Sequence, residues 1–164
     1  MNSVESAVAA VIQDPAGRVL LCQQSQGHRL WGLPGGTIRL GESPVHAAAR
    51  DICEEIGTDV EVSDLVGLYQ LTGDGCGDDL PDVVVYVFRA KIEGEVTLNA
   101  PGRIRRLTWE DAGDLPEPTT ATAAIALADA AAGRSGVLRV VQRKSEPEVS
   151  EAVDPSSEEV LSSI

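Results

Sequence analysis

Between Gly36 and Gly57 the chain places Glu42 and then the run Arg50-Asp51-Ile52-Cys53-Glu54-Glu55-Ile56, directly behind the turn-forming residues Leu33-Pro34-Gly35-Gly36. No other stretch restricts the fold as strongly. Ser43 is a good helix N-cap, Pro44 suits the first helical position, and Gly57 stands where a left-handed C-terminal residue belongs. The spacing predicts a helix over Ser43 to Ile56, with Val45, Ala48, Ala49, Ile52 and Ile56 on one apolar face. At roughly 100° per residue, Asp51, Glu54 and Glu55 gather on another side. Like charges three and four residues apart on a helix repel by a few tenths of a kcal/mol per pair. Crowded into a cleft, they raise one another's pKa values unless a cation lies between them. An acid pair alone on a helix is ordinarily a solvated face. Here the glycine turn, the capped start and Arg50, four residues before Glu54, single the segment out as a divalent-metal site. Hard oxygen ligands of this kind select Mg²⁺ or Mn²⁺.

The flanking sequence supplies strands. Val4 to Ile12 and Arg18 to Gln24 read as two strands around the turn Asp14-Pro15-Ala16-Gly17, an opening hairpin. Leu30 to Leu33 reads as a short extended piece, and Pro34-Gly35-Gly36 as a turn. Strands are predicted at Val60 to Leu71, Asp82 to Ile92, Ile104 to Trp109 and Val137 to Val141. Glu110 to Leu115 reads as a turn or short helix, and the Ala-rich Thr119 to Ala132, followed by Gly133, as a second helix. Thr72 to Pro81 is loop composition. From Ser145 to Ile164 the residues are mainly Glu, Ser, Pro and Asp, a disordered-tail composition. The expected organisation is one domain over 1–142 and an acidic tail over 143–164.

Composition narrows the function. The net charge of −13 argues against non-specific binding to nucleic acid or to anionic membranes. No apolar run is long enough to span a bilayer, and no signal-peptide pattern opens the chain. Cys22, Cys53 and Cys76 form neither a disulfide framework nor a zinc pattern, which points to free thiols in a reducing cytoplasm. Aromatic residues are only 3% of the chain, so the core must be aliphatic.

Gly36, Glu42, Arg50, Ile52, Glu54, Glu55 and Gly57 stand at the spacings of the Nudix box, and the segment resembles that of the Nudix hydrolase family. The lead-in Trp31-Gly32-Leu33-Pro34-Gly35-Gly36 is similar as well. Two positions depart: Asp51 replaces a Glu and Thr58 replaces an apolar residue. The resemblance implies an α/β fold, the Nudix α/β/α sandwich around a mixed β-sheet. It implies hydrolysis of a diphosphate linked to a nucleoside and a further group, with water as nucleophile. A metal bridging phosphate oxygens suits that reaction. By carry-over, Gly36 (through its carbonyl), Asp51, Glu54 and Glu55 hold the metal. Arg50 orients a carboxylate, Glu42 orders the loop or touches the metal through water, and Asp51 is a ligand or the base. Asp is one methylene shorter than Glu, a setback of about 1.3–1.5 Å, and misplacement of that size can cost ~10²-fold in rate. Some relatives use a late acidic residue. The stretch Leu98 to Arg103 has none, leaving Glu93, Glu95, Asp78, Asp79 and Glu110 as candidates.

Other signals carry two readings each. Arg103, Arg105 and Arg106 either meet substrate phosphates or line an exposed edge. Arg29 and Trp31 precede the glycine turn, and Trp31 either stacks on a base or packs in the core. The expected partner is a nucleotide-type small molecule, with a (deoxy)nucleoside triphosphate favoured, acted on by a monomer or homodimer. The competing reading is a Nudix-fold nucleotide sensor or interaction module with little catalysis.

Overall fold

The computed structural model describes residues 4–72 and 81–142. Nearly all of the loop expected over Thr72 to Pro81, with Asp78, Asp79 and Cys76, lies outside them, as does the tail. The described residues form strands β1 (Val4–Ile12), β2 (Val19–Gln24), β3 (Trp31–Gly32), β4 (Gly35–Thr37), β5 (Val60–Thr72), β6 (Asp82–Ile92), β7 (Ile104–Glu110) and β8 (Val137–Gln142). The helices are α1 (Pro44–Ile56) and α2 (Ala121–Ala131).

The strands make two sheets. One is five-stranded and mixed, in the order β4-β1-β6-β5-β8; the other is three-stranded, β3-β2-β7. β1 and β6 are parallel, β5 and β6 antiparallel, and β5 and β8 parallel. Alternation along β1 sends side chains to opposite faces. Val8, Ala10 and Ile12 pack with Ala48, Ile52 and Ile56 of α1. Ala7, Ala9 and Val11 pack with Ala123, Ala126 and Leu127 of α2. The large sheet is therefore the middle layer of an α/β/α sandwich with an aliphatic core.

Two expectations change. The opening strands do not form a hairpin. The turn between them is as expected, with Asp14 Oδ1 accepting from the Ala16 and Arg18 amides. Beyond the isolated bridge between Gln13 and Val19, however, β1 and β2 enter different sheets. The reason is that β4 and β6 take both edges of β1. Likewise Gly35 and Gly36 do not simply turn the chain; they pair with Ala9 and Val8 as part of β4. A Cβ on Gly35 would lie 2.0 Å from the Val8 carbonyl oxygen, so only glycine permits this approach.

Helix α1 follows its caps. Ser43 accepts from the His46 amide, and Gly57 adopts φ 74° while its N–H donates to Cys53 O. The buried stripe is Ala47, Ala48, Asp51, Ile52, Glu55 and Ile56. Val45, expected on the apolar face, is instead exposed. Cys53 is only partly buried.

The edge strand β8 is secured by a third buried acid. Asp129 of α2 accepts from Tyr69 Oη at 2.8 Å, Arg134 Nη1 at 2.8 Å, and Arg139 Nε and Nη2 at 2.7 Å each. The Arg139 hydrogen bonds, with those of Tyr69 and Arg134, hold its carboxyl well below the usual range despite burial. Asp129→Asn removes the charge while leaving the donors in place. It is expected to lower unfolding free energy by roughly 2–4 kcal/mol in chemical denaturation. Tyr69→Phe is expected to cost about 1 kcal/mol.

Candidate active site

The pairing of β4 with β1 places Gly36 against the middle of α1. A Cβ on Gly36 would lie 2.5 Å from Asp51 Oδ2. The bare glycine backbone is what leaves room for that carboxylate. One turn on, Glu55 Oε1 accepts the Gly35 N–H at 3.0 Å. The side chains of Asp51 and Glu55 are only 4% and 5% exposed, and Asp51 Oδ2 is buried without a hydrogen-bond partner. Burial raises the pKa of both acids. Arg103 and Arg50 oppose the rise at Asp51, whereas the charge of Asp51 adds to it at Glu55 and brings that carboxyl to about 8.

Glu54 behaves differently. Its side chain is 46% exposed and points to Arg50 Nη1 at 3.3 Å and Arg39 Nη2 at 3.8 Å. Among the described residues no three His, Cys, Asp or Glu side chains converge as a ready metal cage. The structure brings Asp51, Glu55 and Gly36 together and leaves Glu54 at the rim.

Arg50 is held chiefly by Glu42 rather than by Glu54. Its Nε donates to Glu42 Oε2 at 2.6 Å and its Nη2 to Oε1 at 3.0 Å, a two-pronged pair. Arg50 Nη2 also reaches the Thr37 carbonyl, and Glu42 Oε1 accepts the Arg39 amide. Glu42 thus orders the loop between β4 and α1. Its hydrogen bonds, that from Arg50 foremost, hold its carboxyl down at about 2.

The segment after β6 closes the end of α1. Thr97 N–H donates to Ile56 O, Asn99 N–H to Glu55 O, and Asn99 Nδ2 to Glu54 O. These satisfy carbonyls that a helix end otherwise leaves open. The same segment delivers Arg103, whose Nη1 lies 3.6 Å from Asp51 Oδ1 and whose Nη2 lies 3.3 Å from Glu55 Oε2. Arg103 is thus on the acids themselves, and no local sequence pattern announces that contact. Arg105 on β7 and Arg29, with φ 54°, are exposed. Trp31 is 8% exposed and belongs to the core cluster that contains α2, so its ring packs rather than offering an open stacking face. Glu93 and Glu95 are exposed in the connection before β7, and Glu110, at the far end of β7, accepts from Thr108. Cys22 is buried; burial, reinforced by the charge of Glu55, raises its thiol pKa and makes it a poor nucleophile.

The donor set fits a hard divalent cation. Two buried carboxylates lie together, one oxygen lacks a partner, and a glycine backbone faces it. Glu55, with Asp51 acting in the same direction, sets a pH dependence for the metal-free protein. The folded-state pKa of Glu55 is raised from 4.5 to about 8, so the native state binds more protons than the unfolded one between those values. Stability then falls as pH rises through that window. The metal-free protein is expected to melt lower at pH 8 than at pH 5, and Glu55→Gln is expected to flatten that difference in thermal melts.

A NUDIX domain family model matches residues 4–130. A MutT-like protein of Streptomyces ambofaciens is 33% identical over 126 residues, covering 77% of this chain and 76% of the relative. A putative 8-oxo-dGTP diphosphatase of Bacillus subtilis is 49% identical over 41 residues, which is 25% of this chain and 28% of that protein. The crystal structure of a MutT NUDIX hydrolase from Burkholderia pseudomallei superposes with a TM-score of 0.70 at 30% identity, covering 77% of this chain and 98% of that one.

Proposed function

The chain belongs to the Nudix hydrolase family, and from that premise we propose that it cleaves the diphosphate linkage of a (deoxy)nucleoside triphosphate with Mg²⁺ as cofactor. The observation that carries the proposal is the buried pair Asp51 and Glu55, with the unpaired Asp51 Oδ2 facing Gly36. Such a pair suits a phosphate-bound divalent ion better than any role in folding, because burying two neighbouring carboxylates, one with an oxygen that accepts no hydrogen bond, is costly. Similarity to a putative 8-oxo-dGTP diphosphatase over the short matched segment supports the choice of triphosphate.

Asp51, Glu55 and the Gly36 carbonyl would hold the cation, with Glu54 recruited from the rim. The ion supplies neutralisation of the phosphate oxygens as charge develops on them. Asp51 Oδ2, lacking any donor, is the oxygen open to the cation or to the proton of the attacking water. Arg50 positions the acids by fixing Glu42 and the loop that joins β4, which carries Gly36, to α1. Arg105, exposed on β7, is free to meet substrate phosphates. The free Cys22 and Cys53 accord with a reducing cytoplasm.

Incubation with nucleoside triphosphates (oxidised ones included), ADP-ribose, dinucleoside polyphosphates and nucleotide sugars in Mg²⁺ tests the reading. Pyrophosphate release from a triphosphate is expected. Tight binding of one nucleotide with turnover of none would overturn it. Glu55→Gln is expected to lower kcat by roughly 10²-fold or more and to weaken Mg²⁺ binding. Asp51→Glu is expected to keep or raise the rate, measured by the same release assay. A large loss would mean that the site is built around the shorter acid.

A further inference from the structure

A positive charge already lies between the two buried acids. The Arg103 guanidinium spans them, one nitrogen toward Asp51 and the other toward Glu55. Its side chain is 51% exposed, whereas theirs are nearly dry. The acids therefore depend on Arg103 for compensation more than Arg103 depends on them. The contacts, at 3.6 and 3.3 Å, are longer than good charge-assisted hydrogen bonds, so the hold is electrostatic and loose.

The backbone beneath this side chain is fixed. Arg103 N–H donates to Ala100 O, its carbonyl accepts from Ser25 N–H, and Ser25 Oγ donates to Gly102 O at 2.8 Å. Upstream, Asn99 and Thr97 are tied to the end of α1. Only the guanidinium itself has freedom to leave, and solvent lies on its outer side. A divalent cation and this guanidinium would claim the same carboxylates, and two cations do not share them without repulsion.

We propose that Arg103 is a resident counter-ion of the active site, which steadies Asp51 and Glu55 in the metal-free enzyme and must be displaced when a divalent cation binds. The proposal rests on the metal-site reading above and goes beyond it by giving the metal a built-in competitor on the chain. Arg103 is accordingly a positioning residue, acting through the acids it neutralises. Free-enzyme metal affinity is set by the difference between the two cations' interactions, so part of the attraction of the acids for metal is masked.

The test is Mn²⁺ binding to the full chain without nucleotide, followed by electron paramagnetic resonance of the free ion. Arg103→Gln is expected to bind Mn²⁺ at least about threefold more tightly than wild type. Arg103→Lys, which keeps the charge, is expected to stay near wild type. So is Arg18→Gln, which removes one positive charge at the exposed β1–β2 turn. In thermal melts Arg103→Gln is expected to be less stable than wild type without metal and to gain more from Mn²⁺; a variant that folds only with Mn²⁺ would be the extreme of the same result. Equal or weaker Mn²⁺ binding by Arg103→Gln overturns the Arg103 proposal and leaves the metal site standing. Equal tightening by Arg18→Gln overturns it too, since net charge alone would then explain the effect. Failure of both wild type and Arg103→Gln to bind Mn²⁺ overturns the metal site with it.

Discussion

Two carboxylates buried four residues apart on one helix face are the constraint around which the rest of this molecule is arranged. Left alone, Asp51 and Glu55 would oppose folding, through lost hydration and through repulsion at Glu55. They also sit toward the C-terminal half of α1, where the helix dipole disfavours negative charge, and no basic residue occupies the last turn. Local rules are broken here in the way they are at functional sites. The compensation comes from elsewhere in the chain: the Gly35 amide, Arg50 from the preceding position, Arg103 from beyond β6, and donors from Thr97 and Asn99 that quiet the helix end.

The scaffold makes that compensation possible by spending glycine where backbone must approach backbone. β4 lies close enough to β1 that Gly35 admits no side chain, and Gly36 then has its open side toward Asp51. The Glu42–Arg50 pair holds the loop between β4 and α1, so strand and helix keep their relative position. On the opposite face of the sheet, Asp129 with Tyr69 and Arg139 shows the other way to bury an acid: every oxygen is given strong donors, and none is left over. The contrast separates an acid whose oxygens are all satisfied from one that keeps an oxygen without a partner. Asp129 is fully satisfied and stabilised as its charged form, whereas Asp51 keeps an empty oxygen and an elevated pKa.

Much of this was legible in the sequence, for local reasons. The bounds of α1 follow from Ser43, Pro44 and Gly57, and β6 runs over the residues its apolar run indicates. The nearness of Asp51 to Glu55 follows from helical spacing alone. What was hidden is non-local. Sequence cannot show that both edges of β1 are occupied, so the β1–β2 turn resembles a hairpin. Gly35 and Gly36 carry turn chemistry, yet the same absent side chain also suits a strand pressed against its neighbour. The outward direction of Glu54 depends on Arg39 and Arg50 together. The approach of Arg103 depends on a connection anchored to a helix end more than forty residues earlier in the chain.

That connection has an evolutionary consequence. Three residues separate Asn99, which closes the helix end, from Arg103, which sits on the acids. The scaffold contact and the charge at the site thus belong to one short segment but to different side chains. Exchange at position 103 alone changes the pocket's charge by one unit if the new residue is neutral and by two if it is acidic. Neither exchange alters a helix cap, a strand pairing or the sequence of the Gly36–Gly57 segment. On the proposed reading of the site, a change in that one codon would alter how strongly the pocket attracts a cation, while the part of the gene that encodes the Gly36–Gly57 segment stays unchanged.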